Sequence, residues 1–236
     1  MIVIFLVIGV ILSTTASFVF GIPWLMPIFG AAVPYPILFL HVRRQQYKSA
    51  FWWMLFWGVL QSIAIIVATT IAPQIAAKNI LRGQSYTTEM LHWIRTGEGS
   101  EGSLSLFLPE HLLHYGIFCI LCVVTLSSVA LIFGTWMLNY MNFYVTELVR
   151  VSAKPWLAAI LGWYPWSILR IIGFIATGVA LVTLRLNLVT RIRGKVPKSP
   201  FPKIYILIGI GFVIAVIVVK AVLAPIWQKL LLSALG

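Results

Sequence analysis

The strongest constraint on this chain is a succession of apolar runs, each near or beyond the roughly 20 residues a helix needs to cross about 30 Å of hydrocarbon. They cover about residues 2–20, 24–42, 51–72, 110 into the 140s, 156–184 and 204–224. Of 236 residues, 61% are hydrophobic and only 9% are charged, against about a quarter charged in a soluble domain. One soluble core of this length could not bury that much apolar side chain. The expected architecture is an all-α polytopic transmembrane helix bundle of about six apolar segments, forming a single integral membrane domain over 1–236. With the bilayer as solvent, every charged side chain marks an edge or requires a partner.

Lys and Arg number 17 against five Glu and no Asp. In a soluble chain such an excess points to nucleic acid. Here the basic residues cluster in short connections with no folded module to present them, so membrane lipids with anionic headgroups are the expected partners and nucleic acid is not. The opening run, MIVIFLVIGVILSTTASFVFG, has no basic n-region and leads straight into more apolar sequence. It reads as a retained span, not a cleaved signal peptide, and the expected address is the plasma or bacterial inner membrane, multi-pass.

Pro23, Pro27, Pro34 and Pro36 punctuate the second run and predict a kink or re-entrance. Trp52, Trp53 and Trp57 open the third as an interfacial belt. Residues 73–109 turn polar and read as the long extramembrane loop, with MLHWIR predicting a short interfacial helix that turns Leu91, Trp93 and Ile94 toward lipid. The charge count then conflicts with itself. Six crossings, with HVRRQQYK (41–48) in the cytoplasm, put VRVSAK (149–154) inside as well. They also put the basic 185–203 connection outside, against the positive-inside tendency. A re-entrant 156–184 segment would repair the count, although it is too short for two full crossings.

Within FLPEHLLHYG (107–116), Pro109 and Glu110 read as the first turn of a helix, the missing N–H and the negative charge both suiting that position. His111 and His114 share a face, and with Glu110 and a second helix's His41 or His92 they form a candidate site for a divalent metal or haem b. The HExxH spacing of zinc hydrolases is absent. Cys119 and Cys122 read as helix packing. So do Ser127, Ser128, Gly134, Gly173, Ala176, Gly178, Gly209 and Gly211.

Arg170 is the charge most in need of explanation. A helix starting at Trp166 lets it snorkel to the interface, and GWYPW favours such a break; a helix starting at Trp156 buries it, requiring Glu147, a carbonyl or an anionic substrate. Lys220 lies near the end of its run and is expected to snorkel. Function reads as a small transporter or permease, or an integral subunit with membrane-protein partners or a homo-oligomer, without covalent catalysis or a cofactor. Its substrate site is expected at Arg170, with Tyr164, Glu147 and Asn139, beside an interrupted helix that exposes backbone dipoles. The competing class is a redox or metal component built on His111, His114 and Glu110.

Overall fold

The computed structural model describes residues 1–196 and 200–236, so Lys198 of the basic connection lies outside the described residues. Its helices are α1 (Ile2–Phe20), α2 (Leu25–Ala32), α3 (Tyr35–Arg43), α4 (Tyr47–Ile71), α5 (Pro73–Asn79), α6 (Gly83–Thr96), α7 (Leu104–Thr125), α8 (Ser128–Val151), α9 (Pro155–Leu161), α10 (Pro165–Ile192) and α11 (Lys203–Leu235). No strand occurs among the described residues. Six stretches are long and apolar enough to cross a membrane: α1, α2 with α3, α4, α7, α9 with α10, and α11. The chain is therefore a multi-pass membrane helix bundle. Pro34 divides the second pass into α2 and α3, as its ring and missing N–H dictate.

The fourth apolar run is two helices. Leu126 and Ser127 both adopt left-handed backbone, at φ 53 and 65, and the Ser127 N–H donates to the Cys122 carbonyl at 3.0 Å. This reverses the chain, and α8 returns alongside α7, with Phe133 facing His114 and Ala130 clustering with Phe118 and Cys122. The cost of left-handed backbone without glycine is roughly 1–2 kcal/mol per residue. α8 is a further long helix antiparallel to α7 that a hydropathy count passes over, because Thr135, Asn139 and Asn142 lie in its buried face.

This reversal resolves the charge conflict without re-entrance. Tyr47 donates to the Pro200 carbonyl at 3.2 Å, and Tyr205 packs against Tyr47 and Phe51, so 41–48 and 185–203 meet at one end. At the other end the Lys154 N–H donates to the Ala234 carbonyl at 3.0 Å, and Gln228 Nε2 donates to the Ile94 carbonyl at 2.6 Å. Residues 149–154 therefore share the end of the 73–109 segment, opposite to the placement six crossings imply. Nine of the 17 Lys and Arg and none of the five Glu fall in the two connections of the basic end.

The 73–109 segment is a folded cap. α6 lies on α8 and α11 with Trp93 and Ile94 fully buried, Trp93 edge-on to Tyr164 at 5.8 Å. These side chains face the bundle, contrary to the expectation of lipid contact, because α8, α9 and α11 offer them a continuous apolar cluster. Among the small residues, Gly173 and Gly209 bring α10 and α11 together: a Cβ on Gly173 would stand 3.1 Å from that of Phe212. Gly211 faces open space instead.

Candidate functional site

A polar cluster lies beneath the cap, where α6, the 97–103 loop, α7, α8, α10 and α11 converge. Lys220, 17 residues into α11, is buried. Its ammonium pairs with Glu101 at 2.9 Å, donates to the Ser100 carbonyl at 3.2 Å and sits 3.4 Å from the centre of the Phe107 ring. Glu101 also accepts from Trp166 Nε1 at 3.2 Å. The expectation that Lys220 snorkels is overturned by this carboxylate, which the glycine-rich GEGSEGS loop folds inward.

Arg82 caps α6 in left-handed backbone and reaches Glu89 at 3.3 Å and Glu110 at 3.7 Å, over the rings of Tyr86 and Tyr140. Burial alone would lower the pKa of its guanidinium, but Tyr140, Glu89 and Glu110 together raise it, so it stays charged. Burial also pushes the Tyr86 phenol well above its ordinary range. Glu110 is thus engaged by Arg82 across the cap. Pro109 and Glu110 do not start α7, which begins five residues before Pro109, at Leu104; the proline sits inside the helix.

Arg170 completes the cluster. The chain breaks between α9 and α10 within GWYPW, and α10 begins at Pro165. Despite that favourable start for snorkelling, Arg170 turns inward. Its guanidinium lies 5.5 Å from the Phe107 ring, its Nε is buried without a hydrogen-bond partner, and no carboxylate pairs with it among the described residues. Two cavities meet at this side chain. One, of about 30 Å³, is polar and bordered by Arg82, Glu101, Glu110, His111, His114 and Arg170. The other, of about 110 Å³, is an apolar chamber between α8 and α10, which scarcely touch, with walls from α4 and α7. Tyr86, Tyr140 and Arg170 border both.

The remaining candidates fall apart spatially. Tyr164 is buried against Trp166, its hydroxyl bonded to that of Tyr144. Glu147 pairs with Arg150 one turn away. Asn139 accepts from Gln61 Nε2 at 3.1 Å in a buried ladder that continues with Asn142 donating to Ser62 at 3.1 Å, and it borders neither cavity. His111 stacks on Phe107 at 5.1 Å, and neither ring nitrogen reaches a partner at full hydrogen-bond geometry, although one approaches the Val213 backbone of α11. His114 also borders the polar cavity. His41 belongs to the opposite end of the bundle, tied to the Ile37 carbonyl at 2.9 Å, and His92 is exposed on α6 near Glu98. No three His, Cys, Asp or Glu converge with metal-binding geometry among the described residues.

Arg82, Tyr86, Glu101, Phe107 and Tyr140 belong to the site and are not singled out by sequence reading, which takes Lys220 only for a snorkelling residue. One signal was present: a Glu in a glycine-rich loop and a Lys within an apolar run are opposite charges whose isolation would be costly. These observations define a multi-pass integral membrane protein with a polar and an apolar cavity that meet at Arg170. Neither a family model, nor a curated protein sequence, nor a solved structure matches this chain.

Proposed function

We propose that this chain is a small membrane carrier for an anionic amphiphile, with Arg170 receiving the charged head and the chamber between α8 and α10 receiving the apolar body. The observation that carries this reading is Arg170 itself, an unpaired guanidinium at the junction of a polar and an apolar cavity. A fork of N–H donors matches a carboxylate or phosphate bidentately. In the apo protein its buried Nε lacks any acceptor, a cost that a bound anion removes. The break at Gly162–Tyr164 precedes Arg170 by six residues on the same segment, and interrupted helices are a feature of substrate sites in carriers.

The basic end faces the cytoplasm in this reading, following the positive-inside tendency, and the cap faces the opposite compartment. The test is uptake of radiolabelled organic anions, from acetate to oleate, into liposomes containing the purified chain. At least one is expected to enter faster than into protein-free liposomes, and Arg170→Ala is expected to abolish the difference while inserting normally. Uptake of none, or uptake undiminished in R170A, rejects the carrier.

A further inference from the structure

We infer that the ligand is a monocarboxylic acid with a compact apolar body, a single aromatic ring or a branched chain of equal bulk, and not a long-chain lipid; this rests on the carrier reading above and narrows it. The first argument is size. An apolar cavity of about 150 Å³ holds one benzene, and the chamber here measures about 110 Å³. One ring fills it.

The second argument is how the chamber is made. Gly58 of α4 and Gly134 of α8 both line it, and a Cβ built on either meets nothing within 4 Å. Helix interiors disfavour glycine by about 1 kcal/mol relative to alanine, yet here two glycines leave space that no neighbour fills. Gly178 of α10 differs: the Phe118 ring closes to 3.5 Å of its Cβ position, and with Phe174 forms an aromatic wall. The width of the chamber therefore depends on residues 58 and 134.

The third argument is charge. Glu89 and Glu110 lie on Arg82 and Glu101 lies on Lys220, so the carboxylates of the cluster are already engaged by the two cations other than Arg170. Only Arg170 lacks a carboxylate in contact, and one negative charge is what its guanidinium takes up. A dianion would meet the carboxylates already seated on Arg82 and Lys220. The polar cavity beyond Arg170, at about 30 Å³, has space for about one water, whereas a phosphate group would have to displace the side chains around it.

The experiment is equilibrium binding of radiolabelled benzoate to the full chain in nanodiscs of zwitterionic lipid. Palmitate, phenyl phosphate and toluene serve as competitors. Saturable benzoate binding is expected, displaced poorly by palmitate and phenyl phosphate. Gly58→Leu and Gly134→Leu should each weaken it at least tenfold, the alanine variants less, and Gly116→Leu, whose position borders neither cavity, not at all. The graded alanine series, with matched thermal unfolding, separates a filled chamber from a misfolded chain. If palmitate or phenyl phosphate binds in preference, depends on Arg170 and ignores the glycine substitutions, the compact-body inference fails and the anion site stands. If binding of every probe is indifferent to Arg170→Ala, the carrier reading fails with it.

Discussion

Lys220 and Glu101 are both withdrawn from water, and their mutual attraction, the Trp166 N–H and the Phe107 ring compensate their lost hydration. Removing one partner leaves a buried charge uncompensated. Glu101→Ala is therefore expected to cost about 3–5 kcal/mol, read as a lowered unfolding midpoint in nonionic detergent, while the double substitution E101M/K220M should recover most of that loss. A double variant as unstable as the single one would show that the pair positions the cap in a way apolar packing cannot replace. Arg170 should behave in the opposite sense. Its Nε has no acceptor, so Arg170→Met removes an unsatisfied buried donor, itself worth about 1–3 kcal/mol. The apo protein is expected to be at least as stable with methionine as with arginine, and a clear fall in its unfolding midpoint would mean that Arg170 is structural.

At the level of the helices, legibility followed what the bilayer imposes. Runs such as 2–20 and 204–224 are visible because every lipid-facing residue must be apolar, and the break in GWYPW is visible because Gly162 and Pro165 interrupt helix. α8 is concealed for the same reason in reverse. Lined on several sides by other helices, it carries Asn139 and Asn142 where no lipid reaches, and VVTLSSV gives no proline or glycine to mark the reversal at Leu126 and Ser127. Only part of the site was readable, Arg170, Glu110, His111 and His114, since its other members come from elements far apart in sequence and converge only once the cap folds. Two outcomes test these elements. Ser127→Gly relieves left-handed strain and deletes a buried hydroxyl whose one neighbouring polar group is the weakly bonding Cys122 thiol, so it should leave stability unchanged or raise it by about 1 kcal/mol, whereas Ser127→Val should lower it. Trp93→Ala should lower stability by about 3–5 kcal/mol and expose the polar cavity to proteases acting on the cap, because Trp93 is the buried side chain that holds α6 against Tyr164.

Across the whole molecule, the decisive quantity is the number of passes, because one added pass exchanges the sides of everything after it. Counting α8 as a seventh pass gathers the 41–48 and 185–203 connections at one end and all five carboxylates at the other. Six passes would put a connection rich in Lys and Arg on the translocated side, against the bias that orients membrane chains. Single cysteines in a Cys119→Ala, Cys122→Ala background distinguish the two, since both native thiols lie within α7 and nothing else in the chain competes for label. A membrane-impermeant maleimide applied to intact cells should modify cysteines at Glu98 and Lys154 and leave those at Lys48 and Lys195 untouched until the membrane is opened. Protection at 48 with labelling at 195 would restore six passes and dissolve the reversal at 126–127. Labelling at 48 and 195 together, with protection at 98, would keep the fold and invert it, placing the cap and the mouth of the Arg170 site in the cytoplasm.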